Sequence, residues 1–487
     1  LKARADSIGF RRLGGRIGAM IDFDEMDEAP GGRMYDIVIY GATGYTGCLL
    51  VEHLDAVLSD RYSLPHKWAV AGRKVDKLKE LASRCQTEPA VIEAATDEQI
   101  EDMADLCTIV VAAAGPFSEC GTAVIKACIE KHTHYIDVTG EVVWMRKMID
   151  AYHAAAKEKG VMIVQCAGAM CAPNDINLYL LARKLGPLKR FREYSLGSGI
   201  FQSGGTFVTG YRQYDGMMPR EFQDFHLSPF SLGGVRRKAV RAADADQAEA
   251  REDEDFSGIW TFPGHTTHCA LRLMRRSVLL FEQAAENGME IGEDVVVSTC
   301  SVSLDEKRAQ RSVKGGNGPQ DVKELVKWAM TMEAMAGTAP KVGGGAPASS
   351  RQHCYTEAYA VAEGENGEWA HVHHTGPEGY EVTAMTSITA ALVMLEESEV
   401  VNAKENGGVL TPAFALRGTS WIERLGKRPF ADTEGRTMTF EVHDGKPSVE
   451  TMQQAVWNSD TAGGALMDGQ RKGAIKAWAP PELYTKR

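Results

Sequence analysis

A strand that runs into three glycines and then into a helix constrains this chain more than any other feature. Residues Tyr35-Asp-Ile-Val-Ile-Tyr-Gly41-Ala-Thr-Gly44-Tyr-Thr-Gly47 carry it. Glycine permits a sharp turn, lets a pyrophosphate approach without meeting a Cβ, and allows the helix to pack close to the strand. The helix N-terminus then offers N–H groups and a positive dipole end to phosphate. The spacing is G-x-x-G-x-x-G rather than the commoner G-x-G-x-x-G. Such a unit predicts a doubly wound, Rossmann-type parallel sheet and a dinucleotide.

The following residues extend that pattern. Strands are expected near Tyr35–Tyr40, Trp68–Gly72, Thr108–Ala113, Tyr135–Val138 and Met162–Gln165, with helices near Tyr45–Leu58, Val75–Cys85, Gly121–Lys131 and Trp144–Lys159 between them. Each helix is long enough for a right-handed crossover. At 487 residues a single core is too small, so two domains are expected. The division reads as a leader over 1–33, a nucleotide-binding domain over 34–166, a second domain over 167–442 and a tail over 443–487. Alternation around Gly364-Glu-Asn-Gly367 signals a hairpin of Tyr355–Ala362 with Glu368–His374, so the second domain is an α/β unit with a largely antiparallel sheet. A helix is expected over Thr383–Glu397, packing back. The acidic stretch 241–256 reads as an exposed loop, and 337–350 as a surface linker.

Ligand specificity is written at the end of the second strand. An NAD site places a carboxylate there for the ribose 2′-hydroxyl. This chain has Ala71-Gly72-Arg73-Lys74, two cations that attract a 2′-phosphate, and NADP(H) is inferred. Cofactor contacts are expected from Gly41, Thr43, Gly44, Tyr45, Thr46, Gly47, Arg73 and Lys74, and from Ala114, Gly115 and Pro116 beneath the nicotinamide half. Asp137, Glu141, Asn174 and Asp175 fall at the next strand ends, where a cleft residue and a helix cap are equally good readings.

Composition removes other classes. The formal charge is −12, from 54 Lys and Arg against 66 Asp and Glu, with no basic stripe, so nucleic acid is set aside. The longest apolar run, Val382 to Leu395, holds about 14 residues, short of the roughly 20 a bilayer needs, and no transmembrane segment is expected. Ten scattered cysteines without a CxxC pair suit a reducing compartment, and no metal site is expected from them or from His265/His268 and His371/His373/His374. The chain is read as intracellular and cytoplasmic. Its first residues, with Lys2, Arg4, Arg11, Arg12 and Arg16, read as an organelle-targeting leader, a disordered tail or a truncated gene model.

At this point GATGYTG, AGRK, AAGPFSECGTAVIKACIEKHTHYIDVTGE, QSGGT (202–206), TGPEGYEVTAMTSITAALVML and GGVLTPAFAL (407–416) together resemble the saccharopine dehydrogenase-like oxidoreductase family, which includes the mycobacterial trans-acting enoyl reductases. The likeness spans roughly Met34 to Val442. It implies an N-terminal NADP-binding domain and a second α/β domain that helps close the cleft. Where the family's loop reads Gly-Phe-Asp-Ser-x-Pro-x-Asp, this chain has Gly168-Ala-Met-Cys-Ala-Pro173-Asn-Asp175. Where the family has Gly-Pro-Tyr-x-x-Tyr-Gly, it has Gly115-Pro-Phe117-Ser-Glu-Cys120-Gly, so both tyrosines are lost.

The expected activity is NADP(H)-dependent reduction of a C=C (enoyl) or C=O/C=N bond in a small or lipid-like substrate, the enoyl choice resting on the resemblance. Tyr380 and Asp175 are candidate proton donors; Arg276 and Glu141 are candidate substrate contacts. No Tyr-x-x-x-Lys pair is present, which argues against short-chain dehydrogenase chemistry. The alternatives are a non-catalytic NADP-binding redox sensor and saccharopine dehydrogenase proper. A homodimer is one assembly the sequence allows.

Overall fold

The computed structural model describes residues 32–60, 64–199, 202–212, 228–233, 240–264, 267–284, 291–292, 294–316, 343–401, 406–432 and 436–476. The expected leader therefore lies outside the described residues up to position 31, and the expected linker lies outside them up to position 342.

Strands β1 (Tyr35–Tyr40), β2 (Trp68–Gly72), β3 (Ala90–Glu93), β4 (Cys107–Ala112), β5 (His134–Asp137) and β6 (Met162–Val164) form a parallel sheet. Helices α1 (Tyr45–Ser59), α2 (Val75–Ala82), α3 (Asp97–Asp105), α4 (Phe117–Glu130) and α5 (Val142–Glu158) connect them. Ile37, Val38, Ile39, Ile109, Val110 and Val111 are fully buried, as the unbroken apolar runs of strands covered on both faces require. The order is β3-β2-β1-β4-β5-β6, so the winding reverses between β1 and β4, and a crevice opens there at the carboxyl ends. A seventh strand, β13 (Gly408–Leu410), pairs with β6 from near the far end of the chain.

The second sheet is built from β7 (Leu188–Ser198), β8 (Arg251–Glu252), β9 (Trp260–Phe262), β10 (Val296–Ser303), β11 (Tyr355–Gly364), β12 (Trp369–Gly376) and β14 (Thr439–Asp444), in the order β14-β12-β11-β7-β10-β9-β8. All its pairings are antiparallel except β7 with β10. One face packs on α6 (Ala172–Leu185), and α7 (Gly204–Arg212) and α8 (Thr267–Gln283) follow in the chain. Helix α9 (Gly379–Glu396), buried from Gly379 to Ile388, packs on α1 and on β4 and β5 of the first sheet, so it has almost no solvent face. One core continues from the first sheet to the face of the second that α6 covers.

Several expectations are corrected. The sequence reading omits β3 and α3, a half-exposed four-residue edge strand and an acidic helix whose apolar residues are only Ile100, Met103 and Ala104. The acidic stretch is not simply an exposed loop. Asp244 and Asp253 are 2 % and 6 % exposed, and Asp253 pairs with Arg192 at 3.0 Å. The polar C-terminal residues carry a further helix, α10 (Val449–Arg471). Its Met452, Ala455 and Val456 join Tyr194, Phe256, Ile259 and Tyr359 in a second core on the outer face of the second sheet.

Buried carboxyls tie these layers together. Glu193 on β7 accepts from both Asn174 and Asn177 on α6, and Asp175 accepts from Ser277 on α8 and from the Ala413 N–H at 2.8 Å. Burial pushes each of the two up to about 7. A carboxyl whose folded pKa is raised stabilises the fold fully below its unfolded pKa, near 4, and loses that contribution as pH climbs through the folded value. Buried His53 and His374, held down near 3, work in the opposite sense, so the test must be differential. The thermal midpoint of the native chain relative to Asp175→Asn is expected to fall as pH rises from about 5 to about 8. A difference that is flat or grows over that range would show that Asp175 is already ionised in the fold.

Candidate active site

The crevice at the β1/β4 reversal is lined by backbone before side chains. Gly41 has φ +82°, and its amide donates to Ala71 O at 2.9 Å, continuing the sheet into the turn. A Cβ on Gly41 would lie 2.6 Å from the Ala114 nitrogen, so this glycine also lets the β1 and β4 loops touch. Gly44 precedes α1, whose first intrahelical bond runs from Cys48 N–H to Gly44 C=O at 2.8 Å. The first-turn amides of Tyr45, Thr46 and Gly47 thus face the helix's positive end, the arrangement that suits a pyrophosphate. A Cβ on Gly47 would overlap Gly41 O and sit 2.8 Å from Ala42 Cα, so helix and turn pack as closely as backbones allow.

Arg73 and Lys74 leave the end of β2 side by side, both exposed, and neither makes an ion pair among the described residues. Two uncommitted cations beside a glycine turn fit a ribose 2′-phosphate. On the other side of the crevice Ala114, Gly115 and Pro116 follow β4, with Gly115 exposed. A Cβ on Gly115 would meet Thr209 Oγ1 of α7 at 3.3 Å, so α7 lies over this edge.

The Tyr45 side chain has another task. Its ring is 3 % exposed, meets Tyr380 edge-on at 4.9 Å, and donates its hydroxyl to Ala346 O at 2.8 Å. Gly345 lies against the same ring, where a Cβ would come within 2.7 Å of it. Residues 343–346, expected as the end of a surface linker, are therefore a strap over the first turn of α1. Arg351 anchors that strap, bonding Ala346 O and Glu381 at 3.0 Å each, while Arg436 takes the other Glu381 oxygen at 2.7 Å.

Tyr380 stands in the first turn of α9, behind the Glu378 cap. Its hydroxyl accepts from the Ser203 N–H at 2.8 Å and shares a 2.6 Å hydrogen bond with Thr206 Oγ1. Thr206 and Thr209 are three residues apart on α7, so the Tyr380 hydroxyl is linked to the helix that overlies Gly115. Burial raises the Tyr380 pKa, which keeps the phenol protonated. Ser203, Thr206 and Thr209 are residues the sequence reading missed as site members. The QSGGT segment was the visible signal for Ser203 and Thr206, and Thr209 lies three residues past it.

Three of the expected residues are buried and hydrogen-bonded within the protein. Glu141, fully buried, accepts from Phe117 N–H at 2.7 Å and Ser118 N–H at 2.9 Å at the start of α4, and its carboxyl also bonds the Thr209 side chain of α7. Both Asp175 oxygens are engaged in the core, by Ser277 and by the Ala413 N–H. Arg276 is 5 % exposed and donates to Leu232 O at 3.1 Å and Val409 O at 2.6 Å; it binds β13 to α8 and has no exposed guanidinium to offer an anion. In each case a buried charged side chain satisfies backbone groups that the core would otherwise leave unpaired.

Residues 37–164 match the model of the saccharopine dehydrogenase NADP binding domain. Over 420 residues, 81 % of this chain and 96 % of the relative, the sequence is 26 % identical to a putative trans-acting enoyl reductase of Mycobacterium tuberculosis. A lipid droplet localized protein of Caenorhabditis elegans is 32 % identical over 189 residues, 36 % of this chain and 44 % of that protein. Apo saccharopine dehydrogenase (L-Glu forming) from Saccharomyces cerevisiae superposes with a TM-score of 0.43 at 11 % identity, covering 84 % of this chain and 99 % of the enzyme. The family resemblance read from the motifs stands, and residues 37–164 form an NADP-binding domain. Among the described residues no helix is long and apolar enough to cross a membrane.

Proposed function

We propose that this protein is an NADPH-dependent reductase acting on the C=C bond of an enoyl group in a lipid-like substrate. The observation that carries the reading is the junction of Gly115, Thr209, Thr206 and Tyr380, where a hydroxyl pair from the second half of the chain adjoins the edge of the nucleotide crevice. The relative named an enoyl reductase, aligned along 96 % of its length, supports the choice of bond. NADPH supplies a hydride from C4 of its nicotinamide, and the protein must hold an electrophilic carbon against it and furnish a proton. In this reading the Gly41–Gly47 turn holds the pyrophosphate, Arg73 and Lys74 the 2′-phosphate, and Ala114–Pro116 the nicotinamide half. Tyr380 is the proton source, with Thr206 keeping its hydroxyl oriented.

The test is steady-state NADPH oxidation with a panel of enoyl thioesters, ketones and imines. Tyr380→Phe is expected to lower kcat on the order of 100-fold while leaving the NADPH dissociation constant within about twofold. Unchanged kcat would reduce Tyr380 to a packing residue. Tight NADPH binding with no turnover of any of the three classes would turn the reading to an NADP sensor.

A further inference from the structure

Three cysteines distant in sequence meet where the two halves of the chain join. Cys166 follows β6 with φ +60°, a conformation that residues with a side chain seldom adopt, and its amide donates to Asp137 Oδ1 at 2.8 Å. Cys171 is the N-cap of α6, and Cys269 lies in the first turn of α8. The Cys171 and Cys269 sulfurs are 3.4 Å apart, those of Cys166 and Cys269 3.9 Å, and all three lie within 4.8 Å of one another. None is more than 4 % exposed, and all are free thiols.

We propose that Cys166, Cys171 and Cys269 form a buried three-thiolate site for a soft d10 metal ion, Zn(II) or Cu(I), that fastens the β6–α6 turn to α8. Metal–sulfur bonds of about 2.3 Å place ligand sulfurs roughly 3.8 to 4.0 Å apart, whether tetrahedral or trigonal, close to the spacing found. A disulfide would need about 2.05 Å between two of them and would leave the third unused. Two of the thiols sit at the starts of helices, whose dipoles favour thiolate, and Arg272 bears on Cys269 electrostatically. Binding exchanges three S–H bonds for three metal–sulfur bonds and releases three protons to solvent, with no change of oxidation state, so affinity should rise with pH. The site is separate from the nucleotide crevice and does not depend on the reductase reading.

The full chain, purified under reductant from cells supplied with zinc or with copper, is expected to carry about one equivalent of one of these metals. Cobalt(II) substitution should give thiolate-to-metal charge-transfer absorption. Cys171→Ser and Cys269→Ser should each abolish that band and weaken binding by more than the roughly 10- to 100-fold that outer-shell changes cost. Cys300→Ser, a buried cysteine elsewhere, should leave it intact. Retention of zinc against a chelator would identify Zn(II), and retention of copper under reducing conditions Cu(I). If wild-type protein binds neither metal and gives no charge-transfer band, or yields a Cys171–Cys269 disulfide when purified without reductant, the proposal is overturned, whatever the folding of the variants. Circular dichroism of each variant separates lost ligands from lost structure.

Discussion

Replacing Arg73 and Lys74 together by alanine is expected to weaken NADPH binding on the order of 100-fold while leaving NADH binding within about twofold. Hydrogen bonds to a charged group contribute about 1.5 to 3 kcal/mol each, and the two cations are exposed, so the lower end applies to both. NADH has no 2′-phosphate and loses nothing by the change. Fluorescence titration with each cofactor measures the two losses, and at higher ionic strength the gap should narrow as the exposed charges are screened. Equal losses for both cofactors would mean that these side chains shape the β2–α2 corner instead of reading the phosphate.

Gly47→Ala is expected to remove measurable NADPH binding and to lower the thermal midpoint as well. Its Cβ would overlap the Gly41 carbonyl and press on Ala42 Cα, both backbone atoms that no rotamer change can move aside. Forcing a methyl into so tight a contact costs about 1 to 3 kcal/mol and displaces α1 from β1. Gly44→Ala is the matched control. Its Cβ would meet Gly41 O at 3.3 Å, so the fold should survive while the approach of the pyrophosphate is obstructed. Calorimetry and cofactor titration on the two variants separate the packing glycine from the binding one. A Gly47→Ala protein that binds NADPH normally would mean the turn is not the phosphate site.

The nucleotide half was legible because its signals are local. Apolar runs such as Val110-Val111, the glycine spacing and the Arg73-Lys74 pair state what each segment needs without reference to distant residues. The β11–β12 hairpin was legible for the same reason, through the Gly364–Gly367 turn. What escaped was set by partners far along the chain. Glu141, Asp175 and Arg276 read as site residues from their charge and place in the chain; only the fold reveals the backbone amides and carbonyls that each of them bonds. The strap at 343–346 reads as a flexible linker from its glycines, yet Gly345 is needed because the Tyr45 ring leaves no space for a side chain. The three-thiol cluster was invisible for a related reason: Cys269 is about a hundred positions from Cys166 and Cys171, and no spacing rule joins them.

The pairing of β13 with β6 bears on how the molecule is made. Gly408 N–H bonds Val161 O at 2.8 Å and Gln165 N–H bonds Leu410 O at 3.2 Å, so the border of the nucleotide sheet is finished by residues a ribosome delivers only after most of the second half. Until then the emerging chain presents β6 with unpaired amides and carbonyls beside the apolar Met162, Ile163 and Val164, a template for strangers as much as for β13. Vectorial synthesis thus leaves the nascent protein with one sticky seam for about half of its translation. Any attempt to express the first 166 residues alone would make that seam permanent.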